Sequence, residues 1–317
     1  MTRIGSSDLD VFPLALGGNV FGWTADRDTS FAVLDAFREG GGDFIDTADS
    51  YSAWVPGNSG GESETLIGEW LASRGASDDV VVATKVSQHP DFRGLSATNV
   101  RAAAEASLQR LGVERIDLYY AHFDDADTPL EETVAAFGRL VEDGLVRYTA
   151  VSNYSADRIA EWVRIARELG VAEPVAIQPH YNLVHREIES DIVPLAEENG
   201  LGLVPYFALA KGFLTGKYRS ADTDGHDSPR AGAAVEYATP QGLQIIDTLE
   251  RIGAAHGVSI AATALAWLRA KPAVVAPIAS ASRVSQVGDL LDGARVDLTA
   301  EEVADLDAVS EWTPTDM

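Results

Sequence analysis

The amino-acid sequence predicts an α/β protein, a closed (β/α)8 TIM barrel with an N-terminal hairpin and extra C-terminal helices. Short apolar runs rich in Val, Ile and Leu alternate with longer amphipathic runs eight times, as in the strand–helix units of a parallel sheet. The length of 317 residues suits eight such units, because barrels of this kind reach that size as one domain. We therefore expect residues 1–317 to form one barrel domain.

Eight apolar runs are predicted to be the barrel strands. They are Leu14–Leu16, Asp43–Asp46, Val80–Lys85, Ile116–Ala121, Leu145–Val151, Pro174–Gln178, Leu201–Tyr206 and Ala273–Pro277. The amphipathic runs between them are predicted to be the outer helices. They cover residues 28–40, 62–74, 98–111, 129–142, 155–169, 187–199, 241–257 and 283–292. Residues typical of helix starts and ends flank several of these runs. They are Thr98 and Ser155 at starts, and Gly112, Gly144, Gly170 and Gly200 at ends.

Four segments fall outside the eight units. Residues 2–12 are predicted to form a short hairpin that plugs the bottom of the barrel, and residues 258–271 an extra helix. Residues 299–312 are predicted to form a terminal helix packed on the outside. The stretch 218–238 is polar and rich in Gly and Ala, so we expect a long mobile loop there rather than a linker between domains.

Composition and charge exclude several classes of function. The sequence has no cysteine and therefore no disulfide framework, thiolate zinc site or cysteine nucleophile, and we predict no metal site. A net charge of −25 disfavours nucleic acid and anionic membranes as partners, although a local basic pocket for an anionic cofactor is compatible with it. No apolar run reaches the roughly 18 residues of a membrane-spanning helix. The N-terminal residues lack a signal-peptide core, so we expect a cytoplasmic protein.

Four ionisable side chains fall at the ends of predicted strands or in the loops that follow them. Asp46 ends the second strand, and Tyr51 lies in the next loop, within "FIDTADSYSAWVPGNSGGESE". Lys85 ends the third strand and His122 follows the fourth. Because barrel enzymes carry their active sites at the carboxyl ends of the strands, we expect these four side chains to converge.

The four side chains suit the reduction of a carbonyl group. The phenol of Tyr51 would donate a proton to the carbonyl oxygen, and the Lys85 ammonium would lower the pKa of this phenol from its ordinary value of about 10. Asp46 would keep Lys85 charged and in place, while His122 would orient the carbonyl through a hydrogen bond. Taken singly, the residues have simpler interpretations: Asp46 and Lys85 can form a plain salt bridge, and His122 can be a structural histidine.

Motifs spread over nearly the whole chain resemble the aldo-keto reductase superfamily and follow its order. They are "FIDTADSYS", "VATKV", "YYAHFDD", "VSNYS", "IQPHYNL", "VPYFALAKGFLTGKY" and "APIASASRVSQ". The resemblance is closest to bacterial members of the branch that also contains potassium-channel β subunits. It implies a barrel without a Rossmann motif, a nicotinamide cofactor, usually NADPH, that extends across the top of the barrel, and a catalytic tetrad of Asp46, Tyr51, Lys85 and His122.

The same resemblance implies the cofactor contacts residue by residue. Beside Asp46, the nicotinamide end would be held by Ser152, Asn153 and Gln178, which bind the carboxamide, and by Tyr206, which stacks on the ring. The other implied contacts are Gly18 and Asn19 after the first strand, Phe207, Leu209, Lys211, Gly212 and Lys217 over the pyrophosphate, and Ser280, Ser282, Arg283 and Gln286 around the adenosine and its 2′-phosphate.

Departures from the superfamily pattern leave NADH as an alternative cofactor. Phe207 stands where many relatives have serine, Ser280 replaces a common glycine, and Leu290 replaces a common asparagine near the adenine. The segment "APIASAS" also lacks a lysine for the 2′-phosphate, so Arg283 is the nearest cation. Because the protein as a whole is acidic, we expect Arg283 to provide the preference for NADPH.

Aromatic side chains in the loops near the tetrad are predicted to line the substrate pocket. Trp23, Trp54 and Phe123, together with His122, favour apolar or aromatic carbonyl compounds. They can equally be residues that merely pack the loops. None of these loops shows an obvious clamp for a charged substrate.

Two other classes of function remain open. A Schiff-base aldolase would use Lys85 as its nucleophile. A sensor or regulatory subunit would hold the cofactor with little turnover. The sequence favours an NAD(P)H-dependent reductase of small carbonyl compounds over both. The Asp46–Tyr51 pair and the distal cofactor motifs argue against the aldolase, and the intact tetrad argues against the sensor. The oligomeric state stays open.

Overall fold

The computed structural model describes residues 1–220 and 228–311, and its strands confirm the predicted barrel. In chain order the strands are β1 (Thr2–Arg3), β2 (Asp10–Val11), β3 (Ala15–Gly17), β4 (Phe44–Asp46), β5 (Val81–Val86), β6 (Gln88–His89), β7 (Phe92–Arg93), β8 (Ile116–Ala121), β9 (Val146–Ser152), β10 (Pro174–Gln178), β11 (Gly202–Leu203) and β12 (Ile278–Ala279). Eight of them form one parallel sheet in the order β11-β10-β9-β8-β5-β4-β3-β12.

The sheet closes on itself where the segment before β12 meets β11. The Leu203 N–H donates to the Ala273 carbonyl at 2.7 Å, and the Val275 N–H donates to the Leu203 carbonyl at 2.8 Å. The Ile278 N–H then donates to the Pro205 carbonyl at 2.8 Å. These bonds complete the ring, so that all eight strands present their carboxyl ends on one face.

The last two strands are shorter than the sequence predicts. The seventh, predicted at Leu201–Tyr206, is β11, and the eighth, predicted at Ala273–Pro277, shifts to β12. Pro205 and Pro277 explain both differences, because proline has no N–H to donate to a regular ladder.

The helices surround the barrel as predicted. In the described residues they are α1 (Arg27–Glu39), α2 (Glu62–Arg74), α3 (Ala97–Leu111), α4 (Leu130–Glu142), α5 (Ala156–Leu169), α6 (Ile192–Asn199), α7 (Ala231–Val235), α8 (Pro240–His256), α9 (Ile260–Arg269), α10 (Val287–Arg295) and α11 (Ala300–Val309). Short 3-10 turns cover Glu187–Ser190, Ala210–Thr215 and Val284–Gln286. None of these helices is long and apolar enough to cross a membrane.

Helix boundaries confirm most of the predicted starts and ends. Ser155 caps α5, since its Oγ accepts from the Arg158 N–H, whereas α3 is capped by Ser96 rather than by Thr98. The four predicted terminal glycines all have positive φ, as helix ends require. The predicted helices 187–199 and 283–292 each begin as a 3-10 turn and continue as α6 and α10.

The segments outside the barrel units are also largely as predicted. The extra helix is α9, and the terminal helix is α11, which starts with a capping box between Thr299 and Glu302; residue 312 lies outside the described residues. The predicted loop 218–238 is wrong in part, because it contains α7, and its residues 221–227 lie outside the described residues. The sequence did not predict the hairpin of β6 and β7 after the third barrel strand.

The N-terminal hairpin, β1 paired with β2, closes the lower end of the barrel as predicted. Ile4, Leu9 and Val11 are buried among the side chains of the barrel interior. Gly5 fits because it has no side chain: a Cβ there would lie 2.2 Å from the Val175 carbonyl oxygen, near the start of β10. The end of the barrel opposite the hairpin is the carboxyl end, where the predicted site residues lie.

Candidate active site

Alternation along the strands carries the predicted site residues into the barrel. Successive side chains of a strand point to opposite faces. One set of buried residues comes from near the carboxyl ends of the eight strands or from the residues that extend them, and its members pack together in the barrel interior. They are Ala15, Phe44, Ala83, Tyr120, Ala150, Ala176, Val204 and Ile278. The residues that follow each by two positions therefore share the interior face at the carboxyl end. They are Gly17, Asp46, Lys85, His122, Ser152, Gln178, Tyr206 and Ser280.

Lys85 connects the acidic and phenolic members of the predicted tetrad. Its Nζ donates to Asp46 Oδ2 at 2.7 Å, to the Thr47 carbonyl at 2.6 Å and to the Tyr51 hydroxyl at 3.2 Å. The Gln178 amide donates to the other oxygen of Asp46 at 2.8 Å. The side chains of Lys85 and Asp46 are almost completely buried, so both charges depend on these contacts.

Burial and ion pairing shift the pKa values of Asp46 and Lys85 in opposite directions. Burial raises the pKa of Asp46, against the attraction of Lys85 and the Gln178 hydrogen bond. Burial alone would lower the pKa of Lys85, but Asp46 and Tyr51 outweigh it, so the pKa of Lys85 is raised. Lys85 therefore keeps its proton at neutral pH.

The pKa of Tyr51 differs in direction from the sequence-based expectation. Burial raises it above the ordinary value of 10.0, and the positive charge of Lys85 only partly offsets this effect. The expected lowering of the pKa neglected how deeply the Tyr51 hydroxyl is buried. The phenol is therefore protonated at neutral pH, as a proton donor must be.

His122 is a neutral imidazole in this site. Burial lowers the pKa of His122 well below its ordinary value, and the charge of Lys85 adds to this. The ring lies beside Tyr51, with the ring centroids 6.3 Å apart. Its Nδ1 is buried and has no hydrogen-bond partner within residues 1–220 and 228–311.

The loop that carries Tyr51 is tied to the loop that follows β3. Ser52 has a positive φ of 70°, and its hydroxyl donates to the Phe21 carbonyl at 2.7 Å. The Asn58 amide donates to the carbonyls of Gly22 and Ser52, each at 3.1 Å. These bonds hold Tyr51 against Lys85 and bring the adjoining loop, which carries Trp23, to the same place.

Amide and hydroxyl groups form a second cluster on β9 and β10. Asn153, at a positive φ of 58°, donates to the His122 carbonyl and to Ser152 Oγ, each at 2.9 Å. The Tyr206 hydroxyl donates to Asn153 Oδ1 at 2.8 Å. One face of the Tyr206 ring stacks on His180, with centroids 5.3 Å apart. The cluster thus presents polar groups beside an aromatic ring.

The loop after β11 is built from residues in the left-handed conformation. Phe207, Ala210 and Lys211 have φ between 47° and 57°, and Gly212 has a φ of 101°. Such values are costly for residues other than glycine, and they occur where a loop must take a particular shape. Lys211 and Lys217 from this loop both line the cavity described below.

The fourth group lies around β12 and the start of α10. Ser280 Oγ donates to Asn19 Oδ1 at 2.8 Å, and the Ser282 N–H donates to Gln286 Oε1 at 2.8 Å. Arg283 is exposed and lines the same cavity. These contacts bring together the residues for which the family resemblance implies an adenosine site.

A cavity of about 960 Å³ joins the four groups. Its lining contains every predicted cofactor and substrate residue except Gly18, whose place is taken by its neighbour Gly17. The alternation of residues along the strand explains this difference, because position 17 faces the barrel interior and position 18 faces outward. Lys85 lies beneath the lining, behind Tyr51. The catalytic and binding roles of these residues stay predictions.

The predicted substrate residues form the mouth of the cavity. The indoles of Trp23 and Trp54 meet edge to face at 5.5 Å, and Trp54 lies 6.2 Å from the Tyr51 ring. Trp54 and Phe123 are 51% and 41% exposed, although both are large and apolar. Arg230 is not among the predicted site residues, yet its guanidinium lies 5.3 Å from the centre of the Trp23 ring. It belongs to the segment 218–238, in which no pattern of the sequence indicates a site residue.

Comparison with known proteins gives one consistent result. A sequence model described as "Aldo/keto reductase family" matches residues 13–311. Similar proteins include a probable voltage-gated potassium channel subunit beta of Oryza sativa subsp. japonica, 34% identical over 98% of this chain and 97% of the rice protein. Norsolorinic acid reductase B of Aspergillus parasiticus is 30% identical over 98% of this chain and 83% of its own length. An uncharacterized oxidoreductase of Bacillus subtilis is 33% identical over 95% of this chain and 92% of its own length.

Proposed function

Since the chain belongs to the aldo/keto reductase family and is an oxidoreductase of carbonyl compounds, we propose that it reduces aldehydes and ketones with NADPH and uses Tyr51 as the general acid. The observation that carries the proposal is the buried contact of Lys85 with both Asp46 and Tyr51, at the base of a large cavity. A buried ion pair touching a protonated phenol is costly to fold, and it has a use if the phenol must give up its proton.

The lining of the cavity fits a nicotinamide dinucleotide. Ser152, Asn153 and Gln178 offer polar groups at one end, and the Tyr206 ring offers a stacking surface beside them. Cations that suit phosphates follow on the loop after β11 and on the segment before α10: Lys211, Lys217 and Arg283. When bound, the reduced cofactor would supply the hydride that the carbonyl carbon accepts.

The geometry supports the following roles for the side chains in the reaction. The neutral His122 donates a hydrogen bond to the substrate carbonyl through Nε2, because its Nδ1 is buried. The Tyr51 hydroxyl donates its proton to the oxygen as negative charge develops there. The positive charge of Lys85, held by Asp46, stabilises the phenolate that remains.

The same contacts argue against a Schiff-base aldolase. A nucleophilic amine must be unprotonated and accessible. The Lys85 ammonium makes three hydrogen bonds, is completely buried and has a raised pKa. Trapping of a substrate adduct on Lys85 with borohydride is therefore expected to fail.

A second candidate function has support from the comparisons. The rice relative carries the name of a channel subunit, so the second candidate is a regulatory subunit, and we infer that such a protein would hold the cofactor with little turnover. Single-turnover and steady-state rates of cofactor oxidation distinguish the two functions. A reductase sustains many turnovers, whereas a sensor would oxidise about one cofactor per site and then release product slowly.

The proposed function is tested with a panel of aldehydes and ketones and EDTA-treated protein. NADPH and NADH are first titrated separately by quenching of protein fluorescence, and the panel is then assayed with the cofactor that binds more tightly. We expect oxidation of the cofactor with several aldehydes and no requirement for metal. Absence of turnover with every compound and both cofactors would overturn the proposal.

Replacement of Arg283 by alanine is expected to weaken NADPH binding and to leave NADH binding nearly unchanged. The guanidinium is exposed at the adenosine end of the cavity, where it can form a charge-assisted hydrogen bond with the 2′-phosphate. Loss of such a bond costs about 1.5–3 kcal/mol, or roughly ten- to a hundredfold in affinity. The dissociation constants of both cofactors, measured by fluorescence quenching, check this.

Arg295→Ala is the matched control for Arg283→Ala. Arg295 ends α10, the helix that Arg283 precedes; it lies outside the cavity, and its guanidinium donates to the Gly40 carbonyl at 2.6 Å. The control should leave both dissociation constants unchanged. Equal weakening of NADPH and NADH by Arg283→Ala would show that Arg283 does not contact the 2′-phosphate.

A further inference from the structure

The described lining of the cavity carries more positive than negative side chains, although the protein as a whole is acidic. Four cations line it, namely Lys211, Lys217, Arg230 and Arg283, whereas Asp46 is the one carboxylate in its described lining and is already bound by Lys85. In the described part of the chain, none of the four cations has a carboxylate oxygen within 4.0 Å. In a protein with a net charge of −25, cations left without acidic partners are suited to attract anions.

Arg230 differs from the other three cations in its position. Lys211 and Lys217 belong to the loop after β11, and Arg283 precedes α10, so these three suit the phosphates of a dinucleotide. Arg230 instead contacts the face of Trp23, which meets Trp54, which in turn meets Tyr51. The guanidinium is therefore at the substrate mouth. Its charge also reaches Tyr51, since it contributes to lowering the pKa of that phenol, although burial has the larger and opposite effect.

Local structure fixes where Arg230 stands. Its N–H donates to the Ser228 hydroxyl at 3.3 Å, and its carbonyl accepts from the Ala234 N–H at 3.0 Å at the start of α7. Ala231 and Ala234 of this helix are buried in the main core. The guanidinium is half-buried and packed on an indole, which reduces the entropy that it must lose on binding a ligand.

We propose that Arg230 binds a carboxylate of the substrate, so that this site prefers aromatic aldehydes that carry a carboxylate across the ring from the carbonyl. The proposal rests on the proposed reduction at Tyr51. A guanidinium pairs with a carboxylate through two parallel hydrogen bonds, and partial burial strengthens them. The indoles of Trp23 and Trp54 supply apolar surface for the ring that joins the two polar ends of such a substrate. Arg230 thereby selects among carbonyl compounds, in contrast to the expectation that no charged clamp exists.

The test compares 4-carboxybenzaldehyde with its methyl ester, methyl 4-formylbenzoate. The measured quantity is the ratio of kcat/KM for the acid to kcat/KM for the ester, which isolates the contribution of the negative charge. Arg230→Gln is expected to lower this ratio roughly ten- to a hundredfold, as for loss of a charge-assisted hydrogen bond. Arg230→Lys keeps the charge but not the planar fork, so its ratio should fall between those of the wild type and Arg230→Gln.

Arg219→Gln is the matched control on the same stretch of chain. Arg219 pairs with Asp247 at 2.8 Å and with Glu250 at 2.6 Å, outside the cavity. The control should leave the ratio unchanged. A fall of the same size would attribute the effect to general charge rather than to Arg230 and would overturn the proposal.

A binding measurement separates this inference from the proposed function. With NADP⁺ present, 4-carboxybenzyl alcohol should quench the tryptophan fluorescence at lower concentration than its methyl ester, and Arg230→Gln should abolish the difference. If the protein shows this difference in binding but reduces no aldehyde, the proposed function is overturned, whereas binding of a carboxylate by Arg230 is supported. An unchanged ratio in Arg230→Gln would overturn the carboxylate site, and weakened NADPH binding in the same variant would assign Arg230 to the cofactor.

Discussion

Replacement of Tyr51 by phenylalanine is expected to lower the rate of carbonyl reduction by about a hundredfold or more, the range for loss of a general acid. Only a hydroxyl is removed, so the ring contacts with Trp54 and His122 remain, and cofactor affinity should not change. The dependence of the reduction rate on pH is a second test of the role of Tyr51. Since burial raises the pKa of Tyr51 above 10.0, the wild type should stay active as pH rises through neutrality and lose activity only above about pH 10. This alkaline limb should disappear in Tyr51→Phe.

Tyr119→Phe is the matched control for the loss of a buried tyrosine hydroxyl. The Tyr119 hydroxyl is buried without a hydrogen-bond partner among the described residues, and the side chain faces away from the cavity. Its removal should leave the rate unchanged and should not reduce stability. Near-normal reduction by Tyr51→Phe would show that another group donates the proton. An alkaline limb in the wild type at pH 7–8 would show that Lys85 dominates the pKa of the phenol.

Replacement of Lys85 by methionine is expected to lower both activity and stability. The phenolate of Tyr51 would lose its stabilising cation, and Asp46 would be left as a buried charge without its cationic partner. Removing one partner of a buried pair costs about 3–5 kcal/mol. The free energy of unfolding is measured in urea, and the rate is measured in folded protein that still binds cofactor. Full activity would separate Lys85 from the mechanism.

A double variant distinguishes the structural and chemical parts of the Lys85 effect. Asp46→Asn combined with Lys85→Met leaves no uncompensated charge, so much of the stability should return while activity stays low. Lys271→Met is the control, since Lys271 pairs with Asp307 at 2.6 Å outside the cavity. It should cost much less stability and leave activity unchanged, because its partner is about one-third exposed. Recovery of activity in the double variant would contradict the role of Lys85.

The sequence contained most of the information that positions the candidate site. Strand alternation alone predicts that Asp46, Lys85 and Gln178 share the interior face, and the structure brings them within hydrogen-bond distance of one another or of Tyr51. The same rule also distinguishes Gly17 from Gly18, although the resemblance pointed to Gly18. Local periodicity therefore suffices where a side chain is set by a regular strand.

Features that depend on contacts between distant segments could not be predicted in this way. Arg230 reaches Trp23 only because α7 packs on the loop after β11, more than 200 residues along the chain from Trp23. The direction of the Tyr51 pKa shift depends on how completely the folded protein buries the hydroxyl. The sequence identified the neighbouring charge of Lys85, but not the larger effect of burial that opposes it.

In the proposed reaction, this site reduces a carbonyl group with a hydride from a nicotinamide cofactor and a proton from the protein. The most direct measurement is the mass spectrum of the alcohol formed from an aromatic aldehyde and NADPH deuterated at C4, prepared as each of the two stereoisomers. We expect one stereoisomer to yield alcohol with a single deuterium on the former carbonyl carbon, and one cofactor to be oxidised per alcohol formed. Unlabelled alcohol from both stereoisomers, or no alcohol with either, would contradict it.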